Sequence, residues 1–103
     1  MGLRDNLQLM LERGQDSPLL RYSLGLECAK AGHFLAAIDH LRKAVEQNPG
    51  YSAAWKALGE AHASAGSPDR AAEIYELGIA AARKNGDIQA AKEMSVFLKR
   101  LRR

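Results

Sequence analysis

A single cysteine, Cys28, has no partner for a disulfide within the chain, so nothing in the sequence requires an oxidising compartment. Aromatic residues are scarce at 6%, and the three prolines each fall at an apparent helix boundary. No apolar run approaches the roughly 18 residues needed to span a bilayer. The N-terminus, Met1-Gly2-Leu3-Arg4-Asp5-Asn6, carries charge early and lacks a continuous apolar stretch of signal-peptide length. The expectation is a soluble cytoplasmic protein without a membrane partner. Charge of one sign is also in short supply. Fifteen Lys and Arg against 12 Asp and Glu leave +3, and Lys99, Arg100, Arg102 and Arg103 account for the whole excess. A nucleic-acid binder spreads basic residues over a face, so no nucleic acid is expected. Cations gathered at a helix C-terminus complement its dipole instead.

Hydrophobic residues, many of them alanine, make up 47% of the 103 residues, enough for one small domain with a modest core. Alanine suits closely packed helices better than sheets. Leu3, Leu7, Met10 and Leu11 recur at the spacing of an amphipathic helix, which Gly14 stops. Ser17-Pro18 reads as an N-cap followed by proline at the first helical position. That second helix ends at Gly32, and a third runs from His33-Phe34 to Asn48-Pro49-Gly50. Ser52 reads as the cap of a fourth helix ending at Gly66, Ser67-Pro68 opens a fifth ending near Asn85-Gly86, and Asp87 caps a sixth. No segment alternates with the period of a half-buried strand. The fold class is all-α, six helices in antiparallel pairs.

Sliding the chain by 34 residues superposes one half on the other. Leu24 falls on Leu58, Gly25 on Gly59, Ala29 on Ala63, Gly32 on Gly66 and Ala37 on Ala71. The copies are 18–51 and 52–85, flanked by a helical segment at 1–16 and a capping helix at 86–103. The second copy reads Trp55-x2-Leu58-Gly59-x2-His62 with Ala71-x3-Tyr75, and the first Leu24-Gly25-x2-Cys28 with Ala37-x3-Leu41 and Pro49. This pattern resembles the tetratricopeptide-repeat (TPR) family, whose signature W-x2-L-G-x2-Y, A-x3-F, P repeats every 34 residues. Arg21 stands where the signature has tryptophan, Cys28 and His62 where it has tyrosine, and Arg83 where the second copy would have its proline, which extends the fifth helix towards Asn85. Gly25 and Gly59, with Ala37 and Ala71, remove bulk where paired helices cross, and Phe34, Trp55 and Tyr75 fill wider gaps. The resemblance implies a TPR-type α-solenoid wound into a short right-handed superhelix, with the flanking helices as caps.

Chemistry finds little to work with. His33, His40, His62 and Cys28 lack the close spacing of a structural zinc site, so no metal is expected. No GxxxxGK[ST] or GxGxxG occurs to cradle a phosphate, and a thiol buried among apolar residues has a raised pKa. Neither an enzyme nor a cofactor is expected.

What the resemblance implies instead is partner binding. In TPR proteins the first helix of each repeat lines a concave groove that holds a peptide or a partner's helix. Carried onto this chain, the groove positions are Leu19, Tyr22, Leu26, Ala29 and Lys30, then Ala53, Lys56, Glu60, Ala63 and Ser64. Spacings of three and four keep each set on one helical face. The expected partner is a protein or peptide, contacted chiefly through Leu19, Tyr22, Leu26, Lys30, Lys56 and Glu60. Three alternatives stand beside it. Leu19, Tyr22 and Leu26 could pack on the first helix and fill the groove. Met94, Val96, Phe97, Leu98 and Leu101 could drive weak homo-oligomerisation through the last helix. Helical repeats of this length also include single-strand RNA readers, against which the 34-residue match and the lack of a basic groove count. The carboxylate clamp with which some TPR proteins grip chaperone tails is not matched, because Tyr22, Leu26 and Glu60 occupy its positions.

Overall fold

The structure, a computed structural model, describes residues 2–103. It contains the helices α1 (Leu3–Glu12), α2 (Pro18–Lys30), α3 (Phe34–Gln47), α4 (Ser52–Ser64), α5 (Pro68–Lys84) and α6 (Ile88–Leu101), and no strand among the described residues. Local chemistry sets the boundaries. The Ser17 hydroxyl accepts from the Leu20 amide at 3.1 Å with Pro18 opening the helix, and the Asp87 carboxylate accepts from the Ala90 amide at 3.1 Å. Four helices end alike. Gly14, Gly32, Gly66 and Gly86 adopt φ between +75° and +86°. The next amide then reaches back to a carbonyl in the last turn, as in His33 to Cys28 at 2.9 Å and Asp87 to Ala82 at 2.8 Å.

The α3–α4 connection is built differently. Asn48-Pro49-Gly50 makes a turn closed by the Tyr51 amide on the Asn48 carbonyl at 3.0 Å. Tyr51 therefore takes the cap position and Ser52 is already helical, with no side-chain cap, in contrast to the sequence reading of Ser52. Ser67 likewise makes no side-chain cap bond. With arginine at position 83, α5 runs 17 residues to Lys84, the longest helix of the fold.

Consecutive helices pack antiparallel, α2 on α3, α4 on α5, with α3 touching α4 and α5 touching α6. α2 also reaches α4, and α4 reaches α6, whereas α3 and α5 make no comparable approach. An array whose odd members stay apart while its even members touch is curved, and α2, α4 and α6 line its inner side. α1 packs on α2 alone and buries no side chain fully.

Two core clusters hold the stack. The first gathers Cys28, Leu41, Val45 and Leu58, and the second Tyr75, Ile79 and Met94. Trp55 packs against both, with its indole N–H donating to the Pro49 carbonyl at 2.7 Å. The close crossings fall where glycine was expected. A Cβ at Gly25 would lie 2.5 Å from Leu41 Cγ, and one at Gly59 would enter the Tyr75 ring. Gly78 adds a third such crossing, where a Cβ would lie 2.6 Å from Met94 Sδ.

Arg21, in the signature tryptophan position, is only 8% exposed. Its guanidinium donates to both carboxylate oxygens of Asp16 at 2.8 and 2.9 Å, and Gln47 donates to the same Asp16 at 3.0 Å. Those bonds, Arg21 first, hold the Asp16 carboxyl well below the usual range. A third nitrogen of Arg21 lies 3.1 Å from His40 Nδ1. Because arginine can only donate, His40 must accept there, which fixes the neutral Nε2–H tautomer. Burial, and secondarily the Arg21 charge, lower the His40 pKa.

Candidate functional site: the concave face

The inner helices present their residues in register. Leu24, Leu58 and Met94 are all fully buried, and they mark equivalent points of α2, α4 and α6. The first step is 58 − 24 = 34 residues and the second is 94 − 58 = 36, because α5 runs on past the point where α3 stops. With that two-residue correction, three rows occupy equivalent positions on the inner helices: Tyr22, Lys56 and Lys92; Leu26, Glu60 and Val96; Lys30, Ser64 and Arg100. The third helix of each row is absent from the sequence reading, which treated 86–103 as a cap. The signal that could have supplied it is the extra pair of residues before Asp87.

The expected groove residues separate into three environments. Leu26 and Lys30 of α2 and Glu60 of α4 come together around a cleft of about 370 Å³. Its floor is apolar, built from Ala29, Phe34, Leu41, Ala57 and Ala61, with Ser64 at the rim. Phe34 and Leu41 belong to α3, so a reading confined to the first helix of each repeat missed them. Tyr22 is half-buried next to this cleft, its ring tilted against Tyr51 with centroids 5.0 Å apart. Leu19 lies apart, 65% exposed, beside Leu7 and Met10 of α1. α1 thus covers that end of α2 and contributes nothing to the lining of the cleft at Leu26.

Electrostatically the groove is uneven. Lys56 Nζ donates to Glu93 Oε2 of α6 at 2.6 Å, which raises the lysine pKa and lowers that of the glutamate. Lys30 pairs with Glu27 of its own helix at 3.2 Å. Glu60 is exposed, and among the described residues it has no ion-pair partner. On α6, Lys92, Lys99 and Arg100 are exposed and likewise unpaired, with Arg100 poised 5.8 Å above the Phe97 ring.

The residues weighed for chemistry lie apart. Among the described residues, no three His, Cys, Asp or Glu side chains converge as a metal site would require. The Cys28 thiol is buried, and burial pushes its pKa up, the opposite of an activated nucleophile. Of the residues considered for self-association, Met94 is fully buried, and Phe97, Leu98 and Leu101 pack onto the second core cluster. Val96 alone of that set remains exposed, at 47%. No helix among the described residues is long and apolar enough to cross a membrane.

A curved stack of helix pairs whose inner helices offer a cleft and an uneven charge pattern defines a helical-repeat binding scaffold. A family model described as "Tetratricopeptide repeat" matches residues 29–94. A TPR repeat-containing protein of Pseudomonas aeruginosa is 46% identical over 99 residues, covering 96% of this chain and 94% of its own. A solution structure of a Bordetella parapertussis protein superposes with a TM-score of 0.85 at 42% identity, over 98% of this chain and 88% of that one. The solution structure of a TPR domain protein from Salinibacter ruber gives a TM-score of 0.77 at 26% identity, over 84% and 87% of the two chains. The chain belongs to the TPR family, whose members serve in general as non-catalytic modules of protein–protein interaction.

Proposed function

We propose that this protein binds a peptide segment or helix of a partner protein in its concave groove, anchored in the cleft between α2 and α4. The observation that carries this reading is the cleft itself, about 370 Å³ with an apolar floor that none of the described residues covers. A site of that size accommodates one large apolar side chain, and a few placed polar groups at its rim suit the fixing of orientation. Lys30, Glu60 and Ser64 supply them. Tyr22 extends the apolar surface with a ring whose hydroxyl can still find a partner. Leu19, facing α1, and Lys56, already paired with Glu93, belong to the periphery of the contact. In this reading the protein makes or breaks no bonds and acts by holding its partner.

The test takes a partner isolated on the immobilised protein and titrates it against the purified chain. Leu26→Asp and Tyr22→Ala should each weaken binding about tenfold or more, in line with loss of a central anchor. Arg42→Ala, on the outer face of α3, should leave it unchanged. Normal binding by both groove variants, with chemical-shift changes confined to the exposed edge of α6, would refute the groove and leave self-association as the better reading.

A further inference from the structure

The third row of the groove differs in chemistry from the other two. α2 offers Tyr22 and Leu26, and α4 offers the paired Lys56 with the lone carboxylate of Glu60. α6 turns Ala91, Met94 and Leu98 towards α5 and Ala90 and Glu93 towards α4. By the turn of about 3.6 residues, its remaining exposed side carries Lys92, Val96 and Arg100, with Lys99 at the edge. Three cations thus stand without a carboxylate partner on one flank, while the apolar cleft lies on the other. The groove is polarised across its width.

From this polarity we infer that the ligand is an acidic segment with a single apolar anchor: the anchor enters the cleft, and its carboxylates lie over α6 on Lys92, Lys99 and Arg100. This rests on the groove reading above and sharpens it. Charge complementarity decides between occupants, because a basic segment would meet three unneutralised cations on α6. Glu60 adds a further constraint. It stands at the cleft rim, so the residues that cross α4 must be neutral or basic, and acidic groups next to the anchor are disfavoured. Spacing follows from helix geometry. Neighbouring helices pack about 8–10 Å apart, and the cleft centre lies between α2 and α4, so α6 is roughly 15 Å away. An extended chain covers that in about four to five residues at roughly 3.3 Å each. The recognised pattern is therefore an apolar side chain, a short neutral or basic spacer, then two or three acids.

Fluorescence anisotropy with two labelled peptides tests this. Both carry one tryptophan and a four-residue serine spacer; one continues with three glutamates and the other with three glutamines. The wild-type protein should bind the acidic peptide about tenfold more tightly, and the preference should shrink as salt screens the cations. Lys92→Glu combined with Arg100→Glu should abolish the preference, with a retained helical circular dichroism spectrum as the report of an intact fold; a preference that survives in this variant would overturn the inference. Equal affinity of the wild type for both peptides, lost in Leu26→Asp, would overturn the charge pattern and keep the groove. Unchanged binding of both peptides to Leu26→Asp would overturn the groove as well. Failure of the wild type to bind either peptide would overturn the inference.

Discussion

Replacing Gly59 by alanine sets two effects of opposite sign against each other. In an exposed helix interior the change is favourable by about 0.8–1 kcal/mol, because alanine loses less conformational entropy than glycine. Here the added methyl would enter the Tyr75 ring. That ring has little room to yield: Tyr75 is 3% exposed and its ring is tilted against Phe97 with centroids 5.7 Å apart. Overpacking of this kind costs about 1–3 kcal/mol, so the net effect is a loss of up to about 2 kcal/mol. For a domain this size each kcal/mol shifts the melting temperature by about 4–8 °C. Gly59→Ala should therefore melt as much as about 15 °C lower, measured by circular dichroism at 222 nm. A double-mutant cycle isolates the cause. The cost of Gly59→Ala should fall in a Tyr75→Ala background, where the ring that the methyl would enter is gone. A Gly59→Ala variant that melts above the wild type, as helix propensity alone would give, would refute the close-crossing argument.

Two further outcomes follow from the core. Trp55→Ala removes a side chain shared by both clusters and its bond to Pro49; the ring is half-buried, so the loss should be about 3 kcal/mol, read by urea unfolding. His40 has a folded pKa below its ordinary 6.5, so the unfolded chain takes up the proton first. Its contribution is complete above about pH 6.5 and is lost as pH falls towards the folded value. Stability should decline over that interval in the wild type and decline less in His40→Gln, with urea midpoints at each pH as the measure.

Helix positions were legible because glycine, proline and serine punctuate them chemically, and the repeat because Leu24-Gly25 and Leu58-Gly59 recur at a fixed distance. The departures have local causes. Ser52 lost its capping role to Tyr51 because the Asn48-Pro49-Gly50 turn already satisfies the chain there. Arg21 could be placed from the pattern, but not its environment. Its partners Asp16, just ahead of α2, and His40, on α3, lie on different segments, and only folding brings them together. The groove was half visible. Residues on α2 and α4 could be read from the family's spacing, whereas Phe34 and Leu41 reach the cleft from α3. The basic row on α6 was hidden by a change of register from 34 to 36 that follows from the length of α5.

The two ends of the stack are unequal in a way that governs how the molecule opens. α1 is held through α2 alone, by side chains that are at most half-buried, whereas α6 locks Met94 into the second cluster beneath Tyr75 and Phe97. In a linear array the free energy of local opening is set by the interface with the next unit, so the N-terminal helix detaches at far lower cost than the C-terminal one. Amides from Asn6 to Arg13 should thus exchange with solvent while those around Leu41 and Leu58 stay protected. A protease would cut first near Arg13 and leave α2 to α6 standing. The flank of α2 that α1 shelters, Leu20 and Ser23, is then the surface that appears when the protein breathes.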